Sequence, residues 1–129
     1  MGHPLNIGIV GAGTISRAYL STLTRLDGVR LTAVTDLDRD RAEDLAQRAG
    51  DSVAVADTTA GLIAREDVDA VLNLTIPAAH ADVTRAALAG GKHVYSEKPL
   101  AATREDADAI LTAARKAGLR VGVLAGGGQ

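Results

Sequence analysis

The apolar residues of this chain fall into six short runs, separated by stretches with helical spacing. The runs are rich in valine, isoleucine and leucine, and none alternates strictly between apolar and polar residues as a half-exposed strand does. They cover residues 5–11, 29–35, 52–56, 70–76, 93–96 and 119–124. Because continuous apolar strands are buried on both faces, these runs predict a parallel sheet covered by helices.

The stretches between the runs carry apolar residues on one helical face and predict five helices. The helices cover residues 15–26, 39–49, 58–65, 78–89 and 103–117, and the third spans only one or two turns. Glycines follow several of them, as is typical of helix C-termini. The alternation predicts right-handed βαβ units, and therefore an α/β fold with a six-stranded, mostly parallel, doubly wound sheet.

Composition narrows the class of protein. The 129 residues suit one domain, and the absence of cysteine excludes disulfide frameworks, thiolate metal sites and cysteine nucleophiles. A net charge of −2 and an aromatic content of 2% argue against a nucleic-acid partner. No apolar run approaches the length of a membrane helix, and the N-terminus has no secretory signal. We therefore expect a cytoplasmic protein that binds neither nucleic acid nor a membrane.

A glycine-rich segment follows the first predicted strand. Gly11 and Gly13 fill the first two positions of the G-x-G-x-x-G/A dinucleotide pattern, and Ser16 takes the third with a small side chain. The first glycine of this pattern makes the tight turn out of the strand, and the second lets the backbone approach a pyrophosphate. The amides of Thr14 and Ile15 would then face the phosphates at a helix N-terminus, where the dipole favours anions.

An acidic residue follows the second strand where the same pattern expects one. Asp36 lies 23 positions beyond Gly13, and the pattern places an acid about 20 residues on. A carboxylate there accepts hydrogen bonds from the adenosine ribose and repels a 2′-phosphate, which favours NAD over NADP. Leu37 and Arg41 belong to the same candidate site. Arg41 and Arg39 leave the choice of cofactor open, since an arginine can stack on adenine, meet a 2′-phosphate or remain solvated.

The glycine segment and Asp36 can also be interpreted without a ligand. The glycine segment is also compatible with a tight turn that binds nothing, and Asp36 with a turn residue ahead of the helix that Asp38 caps. A methyltransferase also uses a glycine-rich first loop and an acid after the second strand. Nothing later in the chain resembles the substrate pocket and catalytic cap that a methyltransferase needs.

Two further candidate segments lie at the ends of the fourth and fifth strands. Thr75 and Ile76 end the fourth apolar run and Pro77 follows them, and a proline is well tolerated at a helix start because its missing N–H has no helical partner there. His80 lies about one turn into the next helix, which is equally a position for a surface histidine. In a doubly wound sheet, ligands bind beyond the carboxyl ends of the strands. This turn is therefore expected at the same edge of the sheet as the glycine loop.

The fifth strand ends in Glu97, Lys98 and Pro99. The same rule places these residues at the edge of the sheet that carries the glycine loop. Without a ligand, Glu97 and Lys98 would form a solvated ion pair ahead of a proline turn.

Together these motifs resemble the Gfo/Idh/MocA oxidoreductase family, also described as glucose–fructose oxidoreductase or inositol dehydrogenase-like. The resemblance is carried by residues 8–13, Asp36, residues 75–80 and, most specifically, residues 91–94 running into 97–100. It implies a three-layer αβα Rossmann domain over residues 1–125 with strand order 3-2-1-4-5-6, and a flexible glycine-rich tail at 126–129. The implied cofactor is NAD, with NADP as the alternative.

The resemblance also implies roles for individual residues. The turn of Thr75, Ile76 and Pro77 borders the cofactor, with His80 near it, and Glu97 faces the nicotinamide end. Lys98 approaches the nicotinamide ribose and the substrate hydroxyl, which makes it the candidate catalytic residue, and the peptide before the matching proline is often cis. Members of the family move a hydride between the nicotinamide and a hydroxyl-bearing carbon of a sugar, cyclitol or polyol.

The chain departs from the family pattern in three respects. Ser16 stands where members usually have alanine or glycine. Many members have two prolines where this chain has Ile76 and Pro77. Members also continue into a second α+β domain that carries the sugar pocket and usually the oligomer interface. We therefore expect a truncated cofactor domain that binds the dinucleotide with little or no turnover and takes a polyol substrate only with a second domain. An alternative is that another chain supplies this second domain. The rival expectation is a ligand-free structural module that self-associates through exposed apolar surface.

Overall fold

Strands and helices alternate along the chain of the computed structural model, which describes residues 4–23, 25, 27–50, 52–97 and 103–124. The strands are β1 (Leu5–Val10), β2 (Val29–Thr35), β3 (Ala54–Val55), β4 (Ala70–Asn73), β5 (His93–Glu97) and β6 (Val121–Leu124). The helices are α1 (Thr14–Leu23), α2 (Arg39–Ala49), α3 (Thr59–Ile63), α4 (Pro77–Ala89) and α5 (Arg104–Ala117). Over these residues, no helix has the length and apolar character needed to span a membrane.

The strands form one sheet in the order β3-β2-β1-β4-β5-β6, and all neighbouring pairs are parallel. This confirms the predicted doubly wound arrangement. The chain builds the sheet outward from β1 to β3, returns to β4 beside β1, and then builds in the other direction. The carboxyl ends of β1 and β4 therefore meet at the point where the strand order reverses, and such a point is where open α/β sheets bind ligands.

Helices cover both faces of the sheet, which confirms the predicted three layers. One apolar cluster joins α1 and α2 to one face through residues such as Leu20 and Leu45, and the other joins α3, α4 and α5 to the opposite face. Val34, Val71 and Val94 lie on three different strands and are fully buried. Burying one such side chain contributes about 1.5–3 kcal/mol, so the apolar runs stabilise the sheet from both faces.

Five predicted boundaries need correction by two or three residues. Helix α1 ends at Leu23 instead of residue 26, because the Arg25 N–H donates to the Thr22 carbonyl at 3.1 Å in a tighter turn. Strand β4 ends at Asn73 instead of residue 76, because the Asn73 side chain accepts from the Thr75 N–H and turns the chain out of the sheet. Helix α3 ends at Ile63 instead of residue 65, and strand β3 begins at Ala54 instead of residue 52. The start of β6 is the fifth correction, and the other predicted boundaries lie within one residue of the observed ones.

Strand β6 begins at Val121 instead of residue 119, because Leu119 belongs to the end of α5. Gly118 has a left-handed φ of 71° and its N–H donates to the Arg115 carbonyl at 3.2 Å. The Leu119 N–H donates to the Ala114 carbonyl at 2.8 Å. These two bonds form a Schellman motif, which satisfies carbonyls at the helix end and delays the strand.

Lys92, in the motif before β5, lies at the edge of the sheet opposite the glycine loop. Its Nζ donates to the Arg65 carbonyl at 2.8 Å and to the Val68 carbonyl at 2.5 Å. Lys92 therefore fastens the connection between α3 and β4 to the start of β5. This contact gives the lysine of the motif a structural role away from the carboxyl edge.

Helix α5 begins at a side-chain cap that can be tested by mutation. The Thr103 Oγ1 accepts from the Asp106 N–H at 3.1 Å. We expect Thr103→Ala to lower the free energy of unfolding by about 1 kcal/mol in urea denaturation followed by circular dichroism. The control is Thr112→Ala, on the exposed face of the same helix, which we expect to be neutral or slightly stabilising because alanine is the better helix former. Equal losses in both variants would contradict a specific cap.

Candidate functional site

A cavity of about 410 Å³ lies at the carboxyl edge of the sheet, where β1, β2 and β4 end. It gathers residues that the sequence places in three separate segments. The predicted site residues that line it are Gly11, Gly13, Asp36, Leu37, Arg41, Thr75 and Ile76. The structure thus brings the glycine loop, the start of α2 and the turn after β4 together around one space.

Gly11 makes the turn out of β1 in direct contact with the turn after β4. Its φ is +101°, which side chains rarely adopt, and an added Cβ would lie 2.6 Å from the Leu74 carbonyl oxygen. The Gly11 N–H donates to the Thr35 carbonyl at 2.9 Å. Only glycine satisfies this geometry, because both the backbone conformation and the closeness of Leu74 exclude a side chain.

Gly13 lies in open space at the start of α1. A Cβ at this position would meet no atom within 4 Å. The loop is held from behind by Ser16, which is fully buried and whose N–H and Oγ both donate to the Gly13 carbonyl, at 3.0 and 2.5 Å. No acidic residue lies in the first turn of α1. No acidic residue of α1 itself therefore offsets the positive end of its dipole, which lies beside free space as an anion site requires.

Asp36 joins the glycine loop to the start of α2. Its Oδ2 accepts from the Ala12 N–H at 2.6 Å, and its Oδ1 accepts from the Asp38 N–H at 2.7 Å. A carboxylate has about four lone-pair positions, so two backbone donors leave room for ligand hydroxyls. The turn role and the ribose role of Asp36 are therefore compatible.

The arginines beside Asp36 face acidic partners. Arg41 Nε lies 3.6 Å from the Asp38 carboxylate. Arg39 contacts Asp57, and its Nε lies 3.2 Å from the Glu43 carboxylate. The hydrogen bonds that its guanidinium donates to Asp57 and Glu43 raise the pKa of Arg39 above the ordinary value. The positive charge at this end of the cavity is thus partly compensated, which weakens its attraction for a 2′-phosphate.

The turn after β4 is organised by Asn73, which the sequence analysis missed. Asn73 is fully buried. Its Nδ2 donates to the His80 carbonyl at 2.8 Å and to Thr84 Oγ1 at 2.9 Å. Its Oδ1 accepts from the Thr75 N–H at 3.2 Å and from Thr75 Oγ1 at 2.6 Å. The available signal was an amide inside an apolar run, one residue before the point where the chain leaves the sheet.

Two polar side chains outside the cavity lining, those of the predicted residue His80 and of Ser96, have an atom without a hydrogen-bond partner among the described residues. His80 is half-buried in α4, and within the described part of the chain its Nε2 has no hydrogen-bond partner. The same holds for the Oγ of Ser96, a fully buried residue near the end of β5. Both atoms are polar groups with unused hydrogen-bonding capacity near the carboxyl edge.

Other predicted residues are placed only by their elements. The first residues of α1 are Thr14 and Ile15, Pro77 is the first residue of α4, and Glu97 is the last residue of β5. Their side chains are not described. Lys98, the peptide before Pro99 and the tail at residues 126–129 lie outside the described residues.

These features fit a dinucleotide on the residues present. A pyrophosphate would find open space and helix amides at Gly13, and ribose hydroxyls would find a carboxylate at Asp36. Over residues 4–23, 25, 27–50, 52–97 and 103–124, no three histidine or acidic side chains are grouped so as to hold a metal ion.

Known proteins are similar to this chain in sequence and in fold. The chain is 36% identical over 118 residues to an inositol 2-dehydrogenase from Gluconacetobacter diazotrophicus, covering 91% of this chain and 35% of that enzyme. A 3-ketoreductase from Actinomadura kijaniata, solved with NADP and TDP-benzene, matches with a TM-score of 0.85 and 32% identity over 91% of this chain and 36% of its own. Biliverdin reductase from Synechocystis, solved with biliverdin and NADP⁺, matches with a TM-score of 0.85 and 28% identity, and the match covers 93% of this chain and 37% of that one.

The chain thus spans about a third of the length of these relatives. The family model described as an oxidoreductase family with an NAD-binding Rossmann fold matches residues 5–125, which include every strand of the sheet and the whole cavity lining. The sheet order, the glycine turn and the sequence match agree. The chain therefore belongs to the Gfo/Idh/MocA oxidoreductase family and has its NAD-binding Rossmann fold.

Proposed function

We propose that this chain binds NAD across the cavity at the carboxyl edge of the sheet. The adenosine ribose lies at Asp36, the pyrophosphate lies at Gly13 and the start of α1, and the nicotinamide half extends past the turn of Thr75 and Ile76. The observation that carries the proposal is that one cavity joins a carboxylate, an open helix N-terminus and this turn. Each of these suits a different part of one dinucleotide.

The preference for NAD over NADP rests on charge. The Asp36 carboxylate is held in place by the Ala12 and Asp38 amides, and its negative charge would oppose a 2′-phosphate. The neighbouring arginines face Asp38, Glu43 and Asp57. The solved 3-ketoreductase and biliverdin reductase hold NADP, so a direct comparison of the two cofactors is needed.

The proposed reaction is hydride transfer involving a hydroxyl-bearing carbon of a sugar, cyclitol or polyol. The nicotinamide supplies the hydride chemistry, and the protein positions and orients it. Glu97 ends β5 at the same edge as the cavity, and Lys98 follows it as the candidate group for the substrate hydroxyl. An inositol dehydrogenase and a ketoreductase among the relatives support this substrate class.

We expect the 129-residue chain alone to bind cofactor with little or no turnover. Hydride transfer requires walls that position the substrate and exclude water. In the related enzymes about two thirds of the length lies outside the matched region, and we propose that this part supplies those walls.

Titration with NADH tests the cofactor proposal directly. We expect a saturable change in NADH fluorescence, and the absence of tryptophan keeps the protein background low. The matched control is Gly13→Val, which places a side chain in the open space of the glycine loop. A wild-type signal that does not saturate up to millimolar NADH would contradict the proposal.

The rival function, a self-associating module, is supported by exposed apolar side chains away from the cavity. Val123 on β6 is 42% exposed and Leu111 on α5 is 41% exposed. A mass measurement alongside the titration separates the two functions. An oligomer without nucleotide affinity would favour the module, whereas binding of NADH favours the cofactor domain.

A further inference from the structure

Asn73 is a buried amide in a position that an apolar residue would suit. The other residues of β4, Ala70 to Leu72, are apolar and buried, and Asn73 itself is 0% exposed. Burying an amide is unfavourable unless its hydrogen bonds are satisfied, and an apolar residue of the same shape avoids that requirement. The presence of the amide therefore calls for a specific geometric reason.

The hydrogen bonds of Asn73 are complete and directional. An asparagine side chain has two N–H donors and an oxygen that accepts two bonds, and here all four are used within 3.2 Å. The Thr75 N–H can only donate and the His80 carbonyl can only accept. The amide therefore has one orientation, because the flipped orientation would face donor with donor and acceptor with acceptor.

These bonds connect the turn after β4 to the first two turns of α4. Thr75 is held on one side of the amide, and His80 and Thr84 are held on the other. The Leu74 carbonyl between them lies so close to Gly11 that no Cβ fits there. The turn is thus clamped between Asn73 and the glycine loop, and Leu74, Thr75 and Ile76 form one wall of the cavity.

This wall borders one particular half of the dinucleotide. In a doubly wound sheet the two nucleotide halves lie on opposite sides of the point where the strand order reverses. Asp36 follows β2 and serves the adenosine side, whereas the turn held by Asn73 follows β4 on the other side.

We propose that Asn73 is a positioning residue that fixes the turn of residues 74–76 as the wall against which the nicotinamide half of the dinucleotide binds. The proposal rests on the proposed cofactor function and assigns no contact between Asn73 and the ligand. Its consequence is selective: loss of the amide weakens ligands that carry the nicotinamide half and spares ligands that end at the pyrophosphate.

The test compares NADH with ADP in chemical-shift titrations of the isotope-labelled full chain. The variant is Asn73→Leu, which keeps the branching of the side chain and removes every hydrogen bond. We expect NADH affinity to fall about tenfold, because a turn released from Asn73 would hold the binding-competent conformation only about a tenth of the time, and ADP affinity to change less than about twofold.

The matched control is Thr32→Val, another buried polar position in the sheet. Thr32 is 7% exposed and its Oγ1 donates to the Asp67 carbonyl at 2.6 Å, outside the cavity lining. We expect this variant to lose stability while both affinities remain unchanged. It separates a general effect of a lost buried hydrogen bond from the selective effect expected at Asn73.

The outcomes are distinguishable. If Asn73→Leu weakens NADH and ADP equally, or neither, Asn73 is only structural and the inference is overturned. If that variant fails to fold, Thr84→Val decides: it removes one acceptor of the amide, and an unchanged ratio of NADH to ADP affinity overturns the inference. If wild-type protein binds ADP but not NADH, the nicotinamide wall does not exist as proposed. If it binds neither ligand, the cofactor proposal itself fails.

Discussion

Replacing Gly11 with alanine is expected to lower the free energy of unfolding by about 3 kcal/mol, whereas the same replacement at Gly13 leaves stability nearly unchanged. At Gly11 the φ of +101° excludes most side chains, and the new Cβ would lie 2.6 Å from the Leu74 carbonyl oxygen. The obstacle is backbone, so no side-chain rotation relieves it. Because small domains have only about 5–15 kcal/mol of stability, this loss removes roughly a fifth to three fifths of it.

Gly13→Ala serves as the matched control and also tests the pyrophosphate site. Its Cβ meets no atom within 4 Å, so we expect the stability change to stay within about 0.5 kcal/mol. NADH affinity should nevertheless fall, because the methyl group occupies the space that a pyrophosphate would approach. Urea denaturation followed by circular dichroism measures stability, and NADH fluorescence measures binding. Equal stability losses at the two glycines would contradict the geometry of the loop, and unchanged NADH affinity in Gly13→Ala would contradict the pyrophosphate position.

Asp36→Ala is expected to weaken NADH binding by about ten- to a hundredfold and to narrow the difference between NADH and NADPH. A hydrogen bond to a charged group contributes about 1.5–3 kcal/mol, which accounts for the first effect. The second follows because the variant loses the negative charge that opposes a 2′-phosphate. The variant also leaves the Ala12 and Asp38 N–H groups without their acceptor, so we expect some loss of stability as well.

Asp40→Ala controls for the change in net charge. Asp40 lies in the first turn of α2, is exposed, and does not line the cavity. The Asp40→Ala variant removes one negative charge near the same loop, as Asp36→Ala does. We expect its ratio of NADH to NADPH affinity to remain at the wild-type value. A wild-type preference for NADPH would show that the ribose assignment of Asp36 is wrong. A shift in the ratio in Asp40→Ala would show that long-range charge, and not contact with Asp36, sets the preference.

The spacing of apolar residues was sufficient to predict the strands and helices and their succession along the chain. Strand β2 and helix α2 agree with prediction at both ends, and the cap of α5 at Thr103 and the glycine after it were visible as local signals. Such features depend on residues within a few positions of each other. The end of β4 and the start of β6 were misplaced because apolar residues beside a helix, Ile76 at the N-cap of α4 and Leu119 after α5, resemble residues of an apolar strand.

The candidate site was predictable only in part. The glycine spacing and Asp36 were recognisable because the chemistry of a bound pyrophosphate and ribose imposes that spacing. The sequence contained no sign that the Asp36 carboxylate would accept the Ala12 N–H, 24 residues away, or that Leu74 would close on Gly11. These contacts arise when β1, β2 and β4 become neighbours in the sheet.

The sequence by itself determined the α/β class, the burial of the strands on both faces and the two glycines and the acid of the first βαβ unit, because these follow from residue type and short-range spacing. Only the tertiary structure decided that Asn73 satisfies all its hydrogen bonds within the turn and α4, and that Lys92 fastens the opposite edge. Hydrogen-bond partners depend on how distant segments pack. A polar residue in an apolar run therefore shows its role only when its neighbours in space are known.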